Sequence, residues 1–396
     1  MPRHPNPAET HRDPCASFSV RADLRPEALV KLPSLPSLPS LPSLDGARCE
    51  PLVVRDGARY ACFGDGLCCT DIHAIGPIRL GERARLRVLH DGIVAHDPRD
   101  DVHVLVMRAE SGSCIFLEEG RCAVHTPLGG LLKPQACKQF PVSLTATPEG
   151  GRITTEHKCP CRTLGERPAM TVEDALPAIT ERGKLAPVMR VGKRVPLTRS
   201  RSASFAEYRD TERALMASVR AAQSVDEVAR ALYPTAFPPL DGGDWGTLVG
   251  QLRDLRGSTR LEHVMRWFAD AVVACTSERG DASADGPSLR GTAPPPWRDA
   301  FERGVARSAE PRSALFMLQD FVLDQLWAMH WYDEFPFEHF RAELATRVLI
   351  YARVHGWLVA DGLREDQAAA EAILVVELGG GTDWWLDIAR QVMISS

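Results

Sequence analysis

Long hydrophobic runs are missing from this chain. No stretch of about 18 apolar residues occurs in its 396 residues, so no membrane span is expected. The start, Met1-Pro-Arg-His-Pro-Asn-Pro7, carries charge with no apolar run behind it, so no secretory signal is expected either. Excess positive charge is missing too. The formal net charge is -5, and bulk charge gives no support to polyanion or nucleic-acid binding. No repeat with a period of about 20–50 residues is visible. No Ser/His/Asp order and no Gly-x-Ser-x-Gly suggests hydrolase chemistry. The expected compartment is the cytoplasm, where thiols stay reduced and clustered cysteines more often bind metal.

What remains is ample for folded domains. Apolar residues make up 44% of the chain, enough for a buried core. The expected fold class is α+β: a small β-rich domain followed by an all-α helical domain. Residues 1–48 read as a disordered tail. There Leu32-Pro33-Ser34 recurs through Leu41-Pro42-Ser43, and proline at every third residue favours extended, polyproline-like chain. Residues 49–165 read as β-rich. A hairpin is expected from Pro51 to Cys62 around Asp56-Gly57, and another from Pro141 to Glu156 around Glu149-Gly-Gly151. Residues 102–107 form a further strand candidate, and 134–140 a short helix. Residues 166–202 read as a basic linker. Residues 203–396 turn helical, with apolar positions three and four apart, as in Leu315, Leu318, Val322 and Leu326.

Eight of the 11 cysteines fall between Cys62 and Cys161: Cys62, Cys68, Cys69, Cys114, Cys122, Cys137, Cys159 and Cys161. Cys15, Cys49 and Cys275 lie outside. Thiolates are soft anions that suit zinc and iron–sulfur clusters, and eight would supply two four-thiolate sites. The spacings separate zinc from iron–sulfur only weakly. No pair of Cys-x₂-Cys knuckles exists, and the plain ferredoxin run is absent. An iron–sulfur cluster is favoured over zinc because it tolerates ligands from dispersed loops. Adjacent Cys68 and Cys69 can face one centre from a tight turn, for which Gly66 supplies freedom, or can serve two centres.

These residues carry a resemblance. The order Cys…Gly-x-Cys-Cys, then Cys114-x-Phe116-Leu117…Cys122-x-Val-His125, then Lys133-Pro134-x-x-Cys137-Lys138-x-Phe140-Pro141 resembles the YkgJ-type cysteine-cluster family over about residues 58–165. The resemblance implies a zinc- or iron-chelating domain. Asp65 stands where that family has its second cysteine, which leaves either an oxygen ligand or one thiolate fewer. Some similar proteins are flagellin lysine N-methylases, so the resemblance also implies an iron–sulfur-dependent transferase as an alternative. Against that, no Gly-rich loop follows a clear strand where an S-adenosylmethionine site is expected. Gly379-Gly-Gly381 reads as a helix stop.

Other candidates weigh less. His125, three residues after Cys122, suits a shared metal site; His157 and His73 are lesser ligand candidates, and each reads more simply as a packed or exposed histidine. Lys133 and Lys138 flank Cys137, where cations would favour the thiolate. His330, Glu334, Glu338 and His339 lack the paired Glu-x-x-His pattern of a di-iron site. Trp327, Trp331, Trp357, Trp384 and Trp385 read as core or domain contacts. A third reading is a zinc-stapled module whose helical half, 203–396, binds a protein partner.

Overall fold

A computed structural model describes residues 46–62, 69, 78–87, 94–97, 102–108, 113–124, 133–241, 243–246, 249–250, 259–276, 295, 297–306 and 310–392. The strand-containing part runs β1 (Leu52–Val54), α1 (Leu80–Arg87), β2 (Val94–Asp97), β3 (Val102–Leu105), β4 (Leu117–Glu118), β5 (Arg121–Cys122), α2 (Gln135–Gln139), β6 (Val142–Thr147), β7 (Gly150–Thr155), α3 (Pro160–Thr163), α4 (Val172–Ile179), β8 (Thr180–Glu181), β9 (Lys184–Leu185), β10 (Met189–Arg190), β11 (Arg194–Pro196) and β12 (Ser202–Ser204). Helices follow: α5 (Phe205–Ala221), α6 (Val225–Leu232), α7 (Thr259–Thr276), α8 (Arg298–Ala306), α9 (Ala314–Ala328), α10 (Phe337–Ala360), α11 (Glu365–Gly380) and α12 (Asp383–Arg390). A small strand-containing region followed by a helical part is therefore the architecture. No helix among the described residues is long and apolar enough to cross a membrane.

The main sheet has the order β1-β7-β6-β10. Its centre is the β6–β7 hairpin, in which Val142 pairs with Thr155 and Thr147 with Gly150. Gly150 closes the turn at φ 134°, a conformation open to glycine, and a Cβ there would collide with the Pro51 carbonyl. The hairpin expected around Asp56-Gly57 is not formed. β1 instead runs parallel to β7, Leu52 opposite Gly151, while Asp56-Gly57 makes a local turn closed by Ala58 N–H on the Arg55 carbonyl at 3.0 Å. Burial of Leu52 and Val54 against Leu144 and Ile153 favours this long-range partner over the local one.

The segment 166–202, expected as a connecting stretch, contains α4 and the edge strand β10. α4 opens on a capping box: Thr171 accepts from Asp174 N–H, and Asp174 reaches back to the Thr171 N–H. β10 lies parallel to β6, Met189 opposite Thr145. Of the expected tail, residues 1–45 lie outside the described residues. Arg48 already exchanges backbone hydrogen bonds with Thr147, at 3.0 and 3.2 Å.

The helical half holds the largest core. Ser204 and Glu207 form a second capping box at the start of α5. α10 packs along α11, α6 and α7, and α9 lies between the helices and the sheet. Trp331 and Trp385 are buried, and Trp357 and Trp384 pack on the same core. Trp327 is a domain contact: its indole N–H donates to the Ile153 carbonyl at 3.1 Å. Gly379 and Gly380 allow close approach, since a Cβ at either would overlap Phe268 or Arg347; Gly381 then caps α11.

Candidate functional site

Three of the predicted thiol positions line one apolar cluster. Cys114 is buried with Ile78, Leu86 and Leu105, and Cys69 and Cys137 pack against that cluster. The Cys114 N–H donates to the Cys69 carbonyl at 2.7 Å. Cys137 sits on α2, and Glu82 of α1 ties that helix in by accepting from the Gln135 N–H at 2.7 Å. Arg108 braces the loop after Cys114 by donating to the Ile115 and Leu117 carbonyls, at 2.7 and 2.6 Å. Cys122 lies across the short β4–β5 ribbon, opposite Leu117.

The other predicted ligands are placed differently. Cys62 is exposed, two residues beyond Tyr60, whose N–H donates to the Pro168 carbonyl at 3.2 Å. Cys159 and Cys161 are buried at the start of α3, and the Cys161 carbonyl accepts from Arg167 Nε at 3.1 Å. Arg59 donates to the Arg167 carbonyl at 2.9 Å, so the stretch leading to Cys62 is held against the one following Cys161. Cys68, Asp65, His73 and His125 lie outside the described residues. Among the described residues, no group of three His, Cys, Asp or Glu side chains stands close enough to hold one metal ion. The donor chemistry of the thiols fits a soft metal; the described part of the constellation is incomplete.

His157 is taken up by another structure. Its Nε2 lies 2.8 Å from Asp324 on α9, and the ring is buried. Burial and the nearby Arg162 guanidinium lower its pKa to about 4, so the ring is neutral at pH 7. Around it runs a charge network buried between sheet and bundle. Arg162 donates to Asp320 at 2.6 Å, Asp324 at 2.7 Å and Thr155 at 2.6 Å. Arg55 pairs with the same two aspartates, and Arg312 with Asp320 at 2.8 Å. Burial works against the Asp324 charge, but Arg55 and Arg162 outweigh it and hold the carboxyl well below the usual carboxylate range. A second buried pair, Arg152–Glu212 at 2.7 and 2.9 Å, lies at the same seam, with Arg152 over the Trp327 ring.

Beside this network opens a cavity of about 260 Å³, walled by the exit of β7, by α9, α10 and α11, and by the turn between α9 and α10. Glu377 of α11 faces it and reaches across the seam. It accepts from the backbone N–H groups of His157, at 3.0 Å, and Lys158, and from the Gln325 amide at 3.3 Å. Burial pushes its carboxyl up to about 7, against the pull of Lys158. Lys158 is itself paired with Glu156 at 2.5 Å. His330, also on the cavity wall, has its pKa lowered by burial.

The seam residues escaped the sequence reading. Asp320 and Asp324 were legible in principle: they are acids four apart in a helix whose other residues, apart from Gln319 and Gln325, are apolar. Glu377 was legible in the same way, closing the run Ala372-Ile-Leu-Val-Val376. Such an acid needs a partner, and the sequence does not say which.

No family model, no curated protein and no solved structure matches this chain.

Proposed function

We propose that this chain is a metal-binding cysteine-cluster protein. In this reading it holds an iron–sulfur cluster, or else zinc, through thiolates drawn from Cys62, Cys68, Cys69, Cys114, Cys122 and Cys137, with Cys159 and Cys161 as further ligands. The observation that carries the reading is the convergence of Cys69, Cys114 and Cys137, from three separate segments, on one small apolar cluster. That cluster has four buried members, and the elements around it are two-stranded ribbons and short helices. Metal binding to thiolates contributes directly to folding.

Cys137→Ser is the direct test. Metal per chain is expected to fall, and the loaded protein to melt earlier, while the far-ultraviolet signal of the helical half is kept. Unchanged metal content together with unchanged melting would refute ligation by Cys137.

A further inference from the structure

The seam cavity is a second site, distinct from the thiols. Most carboxylates on its wall already have a cation. Glu156 pairs with Lys158, Asp324 with Arg55 and Arg162, Glu334 with Arg390, and Glu343 with Arg347. Glu377 is the exception. Its partners are two backbone N–H groups and the Gln325 amide, all neutral, and among the described residues it makes no ion pair. On the same wall stand the rings of Trp331, Phe335 and Phe340, with Trp331 and Phe340 stacked at 5.5 Å. Trp331 is 3% exposed, and its indole N–H has no acceptor among the described residues. A carboxylate that shares its nearest cation, Lys158, with Glu156 and makes no direct ion pair of its own, beside aromatic faces and a spare donor, is the environment of a bound organic cation.

We infer that this cavity binds a small organic ammonium ion, with the ammonium on Glu377 and an acceptor atom of the ligand on the Trp331 N–H. The volume of about 260 Å³ admits a molecule of a few heavy atoms. The other charged groups facing Glu377 do not compete for the ligand. Lys158 and Arg347 are each committed to a glutamate, and Asp324 is enclosed by Arg55 and Arg162. His330 is held neutral by burial. A cation seated on Glu377 favours the ionised carboxylate, so binding strengthens as pH rises through the Glu377 titration near 7.

Calorimetric titration of the full chain with aminobutanol, butanediol and hydroxybutyrate tests this directly. The three probes share a four-carbon chain and a hydroxyl and carry a positive, no and a negative charge at the other end. Aminobutanol is expected to bind, to bind better than the diol and the hydroxy acid, and to tighten about thirtyfold between about pH 5.5 and pH 8. Glu377→Gln is expected to weaken it about tenfold at pH 8 and to flatten the pH dependence. Failure of aminobutanol to bind, equal or stronger binding of the diol or the hydroxy acid, or affinity independent of pH would overturn the inference. So would unchanged affinity in a folded Glu377→Gln protein. If that variant does not fold, the ranking of the three probes and the pH profile of the unaltered chain decide alone.

Discussion

The seam between sheet and helices and the loops around Cys69, Cys114 and Cys137 hold their chain segments by opposite means. At the seam, buried charged side chains pair within the chain: Arg162 meets two aspartates and a threonine, and Asp324 meets two arginines and His157. Around the thiols, a few apolar residues and short ribbons do the holding. The seam is held by charge pairs within the chain. In the proposed reading the thiol region, where Cys69, Cys114 and Cys137 share one apolar cluster, draws part of its stability from a bound metal. The difference separates what the sequence builds for itself from what it leaves to a bound group.

The sharpest way to break this contrast is at Arg162. Arg162→Ala removes buried hydrogen bonds to Asp320, Asp324 and Thr155 while Arg55 and Arg312 still face the aspartates; at about 1.5–3 kcal/mol for a hydrogen bond to a charged group, a loss of about 3 kcal/mol is expected. Urea unfolding followed by tryptophan fluorescence should show a loss of that order. A loss below about 1 kcal/mol would place the seam among weak surface pairs instead. A converse point follows. The same network replaced by well-packed apolar residues need not be less stable, so its presence argues for a defined docking geometry rather than for large net stabilisation.

Acid–base behaviour sharpens the comparison further. The Glu377 carboxyl titrates near 7 in the folded chain and near 4.5 when unfolded. The folded state therefore keeps a proton that the unfolded state releases, so this contribution is complete below pH 4.5 and lost as pH rises through 7. His157 runs the other way. Its folded value of about 4 lies below 6.5, so its contribution is present above 6.5 and lost as pH falls toward 4. Comparing Glu377→Gln with the unaltered chain removes the histidine contribution, common to both. The variant should gain about 2–3 kcal/mol relative to the unaltered chain between pH 4.5 and pH 8, read by denaturant unfolding at each pH. A constant difference across that window would show that Glu377 does not titrate there.

The smallest expected effect lies in the helical half, away from both regions. Ser204→Ala removes the cap of α5, where Ser204 accepts from the Glu207 N–H, and should cost about 1 kcal/mol in thermal or denaturant unfolding. No change would mean that packing of Phe205 and Tyr208 alone fixes the start of that helix.

Local signals made part of this fold readable. Glu149-Gly-Gly151 announced the β6–β7 hairpin. Apolar spacing of three and four announced α9 and α10, and the glycines after Leu378 announced the end of α11. The misreading at Asp56-Gly57 has a physical cause. A two-residue turn signal was present, but the strand before it found a better apolar partner in β7, nearly a hundred residues away. The seam was unreadable for the same reason: Arg55 and Asp324 lie 269 residues apart, and no local pattern links them. The thiols were readable as a group because their chemistry is rare and their clustering visible. Their convergence is a three-dimensional fact, and only Cys69, Cys114 and Cys137 are gathered on one cluster in the described structure.

The most direct test of the central claim is anaerobic purification of the full chain, followed by iron, zinc and acid-labile sulfide analysis with a visible absorption spectrum. Brown protein with iron and sulfide, or colourless protein with stoichiometric zinc, is the predicted result, and the first of these is favoured. Folded protein that carries neither metal, and takes up neither on reconstitution, would contradict the account.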